Sequence, residues 1–294
     1  MASIKDLRQR IKSVGSIKQI TRAMEMVATT KLRRFQDRAI ASRPYTEEIA
    51  GLVGRLASML GEDLEGHPLF RRGAGERTLL LVVSSDRGLC GPYNSSLFRK
   101  LQAWRKERGG RDADPTEYFV VGRKGYQYMD RRGFRITRFL TEPPLEKIDY
   151  RNAAVTARML TQSFLSGEYS DVQILSTRFE SMVKFVPTIA QFLPVSGASI
   201  AGEGGERIPA GVILEPDAAT IFDQLIPRYL ETRAYNALLE SLTSEYASRR
   251  FAMKNATDAA SDMQKALRGV YNRKRQESIT KELLDIVGGV EALK

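Results

Sequence analysis

The stretch "ITRAMEMVATTKLRRF" (residues 20–35) contains neither glycine nor proline, and its basic residues gather at its C-terminal end. Its apolar residues follow the i, i+3, i+4, i+7, i+8 spacing of one helix face, at Ile20, Ala23, Met24, Val27 and Ala28. Alternating steps of three and four residues extend this pattern from Ser3 to Leu60. The pattern predicts a long helix whose apolar stripe requires a partner helix.

Further residues define the ends and the seam of this first helix. Ser3, followed three residues later by Asp6, predicts the N-terminal cap. Pro44 predicts a kink, because proline lacks a backbone N–H. We expect Ile17, Ile20 and Val27 to lie in the seam, together with the apolar residues on either side of them.

The middle of the chain has the character of an α/β domain. Short β-rich runs occur at "TLLLVVSS" (78–85), "EYFVVG" (117–122), "DVQILSTRF" (171–179) and "VKFVPTIAQFLPV" (183–195), and a helix is predicted from Asn152 to Ser166. Alternating strands and helices predict a mostly parallel sheet. The last two runs predict an antiparallel hairpin at its edge.

Helical character returns near Asp217 and continues to the end of the chain, with Met253, Ala260, Met263 and Val270 among the expected seam residues. We predict four parts: an N-terminal coiled-coil helix (1–60), a central Rossmann-like α/β domain (75–195), a flexible loop (196–216) and a C-terminal coiled-coil helix (217–294). The fold class is therefore α/β plus a long antiparallel coiled coil, a stalk on an α/β foot.

The antiparallel arrangement also predicts a register. If both helices leave the α/β domain near Leu56 and Ile221, the numbers of paired residues add up to 277. Allowing for one turn of slippage, Met24 should lie beside residues 249–257.

Charge indicates an acidic partner. The chain has 294 residues and a formal net charge of +11, and its isoelectric point is about 9.7. Residues 1–60 hold twelve Lys and Arg against five Asp and Glu. Such a balance suits nucleic acid, anionic lipid or an acidic protein surface, although a solvated helix face has the same composition.

The residues of a catalytic or metal site are missing from the pattern. The only histidine, His67, is expected in a surface loop, and the only cysteine is Cys90. A phosphate-loop motif is absent, and "SSDRGLCGPYN" (84–94) is better explained as a strand-to-helix turn capped by Asn94 or Ser95. The sequence predicts no catalytic residue, metal or cofactor.

Several motifs together resemble the gamma subunits of F-type ATP synthases. They are "ITRAMEMVATTKLRR", "LVVSSDRGLCG", "VPTIAQFLP", "RRFAMKNATDAA" and "VYNRKRQESITKELLDIVGG", in that order between Ile4 and Leu293. The resemblance implies a rotor present in a single copy, whose coiled coil turns inside a hexamer of alpha and beta subunits. It also implies contacts with an epsilon subunit and a ring of c subunits. The chloroplast regulatory insert and a presequence are absent, which favours a bacterial protein at the cytoplasmic face of the inner membrane.

The resemblance also implies which residues contact partners. Met24, Lys31, Arg33 and Arg34 would face an acidic lever of beta, and Arg249, Arg275, Gln276, Thr280 and Glu282 would contact beta higher in the cavity. At the C-terminal tip, an apolar arc would line a hydrophobic bearing, formed by Ile279, Leu283, Ile286, Val287 and Val290. From the residues alone, the alternative is a basic coiled-coil adaptor or nucleic-acid-binding protein.

Overall fold

A computed structural model describes residues 3–109, 115–196, 200 and 214–291. Most of the loop expected at residues 196–216 lies outside these ranges. The described residues group into two compact units. The terminal unit combines those of Met1–Thr30 and Arg249–Lys294, and the central unit comprises those of Lys31–Ser248.

Two long helices contribute to both units: α1 (Ile4–Leu60, 57 residues) and the last helix, α5 (Ala218–Glu291, 74 residues). Both continue through a proline, Pro44 in α1 and Pro227 in α5. The remaining helices are α2 (Tyr93–Glu107), α3 (Arg123–Asp130) and α4 (Tyr150–Leu165), with short 3-10 helices at Gly61–Gly66 and Leu145–Lys147. The strands are β1 (Arg77–Val83), β2 (Glu117–Val121), β3 (Ile136–Leu140), β4 (Tyr169–Phe179) and β5 (Phe185–Leu193).

Side-chain caps define where the two long helices begin. Ser3 N donates to Asp6 Oδ2 at 3.0 Å and Asp6 N donates to Ser3 Oγ at 3.1 Å, which confirms the predicted cap of α1. Asp217 precedes α5 and accepts from Thr220 N at 2.9 Å. Hydrogen bonds from the Ser3 and Thr220 backbones lower the pKa values of Asp6 and Asp217, respectively, so both carboxylates stay ionised.

In the terminal unit, α1 and α5 pair antiparallel. The hydroxyl oxygens of Thr21 and Thr257 lie 2.8 Å apart, and Lys18 Nζ donates to Ser261 Oγ at 3.0 Å. Both pairs lie within two residues of the predicted register. In the central unit, Asn236 Nδ2 donates to Thr46 Oγ1. The numbers of these two residues add up to 282, which is five more than predicted. The predicted sum of 277 assumed that the register of the two helices stays constant along their whole length.

The seam of the terminal unit contains a heptad pattern. Buried or half-buried residues of α1 lie at positions 4, 7, 11, 14, 18, 21, 25 and 28, and those of α5 at 253, 257, 260, 264, 267, 271, 274 and 278. Further half-buried residues flank this pattern at 15, 24, 252, 256 and 261. Steps of three and four therefore alternate on both helices, as in a coiled coil. Polar side chains occupy the middle of the α1 seam, at Lys18, Thr21 and Glu25.

This pattern corrects part of the predicted seam, whereas Leu7, Val14, Met253 and Ala260 are buried as predicted. The side chains of Ile17, Ile20 and Val27 are exposed by 52%, 59% and 55%, and each stands one position before a seam residue. Met263 and Val270 of α5 are likewise exposed. The sequence prediction selected the most apolar residues at helical spacing, but the seam contains the polar residues next to them.

The central unit contains a five-stranded sheet with the order β3-β2-β1-β4-β5. β1 runs parallel to β2 and β4, β2 runs parallel to β3, and β5 pairs antiparallel with β4. The predicted parallel sheet and its antiparallel edge hairpin are thus confirmed. Strand β3 was not predicted, because its five residues, ITRFL, include two exposed polar positions and no long apolar run.

One face of this sheet packs against short helices. Leu80, Val82, Val120 and Leu175 from three strands share a buried cluster with Leu97 and Leu101 of α2 and Met129 of α3. The long helices also bury side chains in the central unit, among them Val53 of α1 and Leu238 of α5. Residues 241–248 of α5 are all buried, so this part of the helix is enclosed on every side.

The polar pair in the seam predicts an unusual mutational response. Replacing Thr21 and Thr257 together by valine removes both hydroxyls while keeping the shape of both side chains. We expect the double variant to be at least as stable as the parent, with a gain of about 0.5–1 kcal/mol in the free energy of unfolding. Thermal or denaturant unfolding of the chain measures this. A loss above about 1 kcal/mol would show that the hydroxyl pair stabilises the seam.

Candidate functional site

The carboxyl edge of the parallel strands is where α/β folds of this kind usually bind ligands. Here the chain's own groups occupy that edge. Ser84, just after β1, donates through Oγ to the Gly122 carbonyl at 3.1 Å and accepts from Gly125 N at 2.7 Å. Asp86 accepts from the backbone N–H groups of Arg123 and Leu145 at 3.2 and 2.8 Å.

The turn between β1 and α2 is also closed by internal hydrogen bonds. Asn94 accepts from Ser85 N at 3.2 Å and donates from Nδ2 to Ser85 Oγ at 2.6 Å. The strand-to-helix turn is confirmed, but its expected cap is wrong. Pro92 holds the N-cap position of α2, and Asn94 bonds back to the end of the strand.

His67 lies in a loop, as the sequence predicted, and its side chain is partly exposed. Its Nε2 lies 3.2 Å from Asp223 Oδ1, and its ring packs edge-on against Phe70 and Phe222. Its Nδ1 accepts from Leu69 N at 3.2 Å. Within the described ranges, no group of three or more His, Cys, Asp or Glu side chains is arranged to hold a metal ion.

The candidate functional surface therefore lies on the long helices. The basic cluster expected to face a partner divides into two parts. Lys31 Nζ lies 2.6 Å from Glu146 Oε2, and Tyr246 Oη donates to the same oxygen at 2.7 Å. Arg33 and Arg34 are exposed. Lys31 thus ties α1 to the 3-10 helix that contains Glu146, whereas the two arginines point into solvent.

The ion pair changes the titration of Glu146. Burial makes the largest contribution and raises the pKa of this carboxyl group. Hydrogen bonds from Lys31 and Tyr246, together with the charge of Lys31, outweigh it and hold the pKa below its ordinary value of 4.5. Glu146 is therefore ionised at neutral pH, and its ion pair is intact there.

The other expected contact residues differ in exposure. Met24 is half-buried beside the seam, and Arg249 is buried, with a relative exposure of 6%. Four residues near the C-terminus are exposed: Arg275, Gln276, Thr280 and Glu282.

The apolar arc at the end of α5 is exposed to a large extent. Ile279, Leu283, Ile286 and Val287 are exposed by 49–64%, while the side chain of Val290 lies outside the described part of the chain. Leu284, which was not predicted, is 65% exposed. The pairing of Lys18 with Ser261 brings the start of α1 beside residues near 275, so this arc extends past the paired part of α5.

A basic groove in the terminal unit was missed by the sequence prediction. Its charged lining comes from both helices, with Arg8, Lys12, Lys18, Arg22 and Arg268. Gly15 lies within it, and a Cβ at that position would approach Gln264 Nε2 to 2.9 Å. The signal was present in the sequence as basic residues at 8, 12 and 22, which are spaced along one face of α1.

Comparison with known proteins identifies the family. The family described as ATP synthase matches residues 3–293. A curated ATP synthase gamma chain from Geotalea uraniireducens is 37% identical over 294 residues, covering all of both chains. The gamma chain of Dehalococcoides mccartyi is 39% identical over 296 residues, again with full coverage of both.

Solved structures agree at the level of the fold. A chain from the central stalk and c-ring of the Tetrahymena thermophila mitochondrial ATP synthase matches 81% of this chain and 99% of its own length, with a TM-score of 0.58 and 25% identity. A chain of the Euglena gracilis mitochondrial enzyme matches 99% and 94%, with a TM-score of 0.65 and 18% identity. None of the helices in the described ranges has the apolar length needed to cross a bilayer.

The Lys31–Glu146 pair predicts a pH-dependent effect on stability. Glu146→Gln removes the charge, so we expect it to reduce the free energy of unfolding at pH 7 by roughly 1 kcal/mol, allowing for partial exposure of both side chains. Because the pKa of Glu146 is lowered by folding, its contribution is present above pH 4.5 and is lost as pH falls through the lowered value.

Thermal unfolding of parent and variant between pH 7 and pH 3 measures this difference. Glu142→Gln, at an exposed position in the same segment, is the matched control and should have little effect at any pH. A stability difference that stays constant down to pH 3 would contradict the assigned ion pair.

Proposed function

Because the chain belongs to the ATP synthase gamma chain family and is the central-stalk rotor subunit of an F-type ATP synthase, we propose that it works without a catalytic site of its own. Its α1–α5 pair turns inside a hexamer of alpha and beta subunits, and nucleotide chemistry takes place on those partners. At the carboxyl edge of its sheet, Ser84, Asp86 and Asn94 bond to other groups of the same chain. This supports the proposal that nucleotides bind to the partners.

The observation that carries the proposal is the exposed apolar arc of Ile279, Leu283, Ile286 and Val287. Exposed apolar side chains on consecutive helical turns favour burial against a partner. Apolar contact is non-directional, so a surface of this kind can slide while it stays covered. We propose that a hydrophobic sleeve of the hexamer surrounds this arc.

Charged contacts of the rotor come from residues that the structure exposes. Arg33 and Arg34 are proposed to face an acidic segment of beta, with Met24 beside them. Lys31 is proposed to face the same segment, and it also binds Glu146 and Tyr246 within the chain. The basic groove between Arg8 and Arg268 is a further surface of suitable charge for an acidic partner.

Contacts higher in the cavity are proposed for Arg275, Gln276, Thr280 and Glu282. All four are exposed polar residues on the segment that leads to the apolar arc. Arg249 is buried, so contact with beta would require its side chain to leave its present position.

The remaining partners are an epsilon subunit and the ring of c subunits, and we propose that the central unit contacts them. The Tetrahymena structure contains a c-ring together with its central stalk, which supports this assembly. The gamma chains described above come from bacteria, in agreement with a position at the cytoplasmic face of the inner membrane. Family membership replaces the alternative of a basic adaptor or nucleic-acid-binding protein.

The isolated chain is expected to hydrolyse no ATP. The sequence contains no phosphate-loop motif, and two side chains at the sheet edge, Asn94 and Ser85, are bonded to each other. A phosphate-release assay on the chain, purified free of beta, measures this. Steady hydrolysis that persists after removal of all detectable beta would contradict it.

Rotation is tested by two disulfides in the assembled complex, after Cys90→Ala has removed the native thiol. The first joins Thr21→Cys to Thr257→Cys, whose native hydroxyl oxygens lie 2.8 Å apart. We expect ATP hydrolysis to continue, since these positions do not move relative to each other. The second joins Arg33→Cys to a cysteine scanned through the acidic segment of beta. We expect this bond to stop hydrolysis after less than one turn.

Reduction of the second disulfide should restore hydrolysis, and unoxidised samples of both variants serve as controls. Loss of activity with the first bond and full activity with the second would refute the rotor arrangement.

A further inference from the structure

Three serines of α5 make an uncommon set of contacts in the central unit. Ser241, Ser244 and Ser248 lie at i, i+3 and i+7, on one face of the helix. The relative exposure of each is 1% or less. Ser241 Oγ accepts from Thr177 N at 3.1 Å and Ser244 Oγ donates to Thr177 O at 3.2 Å. Ser248 Oγ donates to Cys90 O at 2.6 Å. We call these three residues the serine face.

Two other hydroxyls of the same helix in the central unit behave differently. Thr232 and Thr243 donate to the carbonyls four residues earlier, Arg228 and Leu239, at 2.9 and 2.8 Å. This local bond is the usual arrangement for a hydroxyl within a helix. The serine face instead bonds main-chain atoms of the sheet and of the loop after β1, so its hydroxyls link separate elements.

The serine face meets the sheet where the strand order reverses. Thr177 lies near the carboxyl end of β4, and Cys90 lies in the loop after β1, the strand that pairs with β4. Chain connections leave these two strands in opposite directions, which opens a crevice in related α/β folds. In this protein, α5 bonds at this point both to the end of β4 and to the loop after β1.

The atoms that the serine face binds are themselves held in place. Thr177 lies in the part of β4 that extends past β1, and it pairs there with Pro187 of β5. The loop of Cys90 is braced by Ser85, whose Oγ donates to Arg87 O at 2.8 Å and accepts from Asn94. Short serine side chains therefore join a rigid helix to a rigid edge of the sheet.

Such a contact resists rotation of the helix against the sheet. Apolar side chains can slide past each other with little change in energy, because their attraction is non-directional. Turning α5 would break all three serine bonds at once and leave buried main-chain groups without partners, where water cannot replace them.

We propose that the serine face is the torque-bearing contact between α5 and the α/β sheet of the central unit. This inference rests on the proposed rotor function, in which partners that touch the sheet must drive the helix. Ser241, Ser244 and Ser248 are positioning residues, since they contact neither nucleotide nor substrate.

The test compares two rates of the complete ATP synthase in vesicles: ATP synthesis driven by an ion gradient, in which the rotor works under load, and ATP hydrolysis without a gradient, in which it does not. Alanine replaces the three serines singly, in pairs and together, and co-purified alpha and beta subunits report assembly. Unloaded ATP hydrolysis, measured with the ion gradient collapsed, should stay within about twofold of the parent. Gradient-driven ATP synthesis should fall at least about threefold in the triple variant, with smaller losses in the others. Thr243→Val, which removes a buried hydroxyl that bonds only to Leu239 O within the same helix, is the matched control and should change neither rate.

A parallel fall of both rates, or no change in either, would overturn the inference. If the triple variant fails to assemble, the single variants provide the same comparison of loaded with unloaded rates. The disulfide experiment tests rotation independently of the serines. If only the serine variants give the contradicting result, the role of the serine face is refuted and the rotor function stands. If the disulfide experiment also gives its contradicting result, the rotor function is refuted as well.

Discussion

The pairing of two very long helices is the constraint on which the rest of the structure depends. Helices of 57 and 74 residues gain little from backbone hydrogen bonds alone and need a continuous stripe of burial. Since an α/β sheet separates them in sequence, the available partner for each is the other, in antiparallel orientation. The heptad pattern in the terminal unit, from Ile4 to Ala28 and from Met253 to Ser278, satisfies this requirement.

The period of these helices could be predicted from the sequence, whereas the position of their seam could be predicted only in part. Ile17, Ile20 and Val27 are more apolar than Lys18 and Thr21, which stand next to two of them, so a count of hydrophobic residues selects the wrong stripe. The prediction assumed that the most apolar residues are buried within the chain. This assumption fails where apolar side chains bind a partner protein instead. The residues assigned incorrectly are therefore informative, because they mark surface that the isolated chain leaves exposed.

The sheet was predictable where its strands were long and apolar, and β3 was missed because its signal was short. The candidate site was predictable only in part. Exposure of Arg33 and Arg34 agrees with a role in binding, but the attachment of Lys31 to Glu146 depends on a 3-10 helix more than a hundred residues away. Single-sequence patterns contain no information about such a contact. The basic groove near Gly15 was missed for the same reason, since it requires the register of both helices.

The distribution of polar and apolar contacts in this protein suits a part that turns. In an ordinary coiled coil, apolar residues fill the seam and polar residues face water. Here directional bonds lie inside the protein. The Thr21–Thr257 pair fixes α5 against α1 in the terminal unit, and the serine face fixes α5 against the sheet in the central unit. Apolar side chains such as Ile286 lie outside, where contact without fixed direction permits motion. Polar residues in a seam reduce stability but specify register. For a rotor, a fixed register between the two helices matters more than a small gain in stability. Any slip between them would waste part of the work that the shaft transmits.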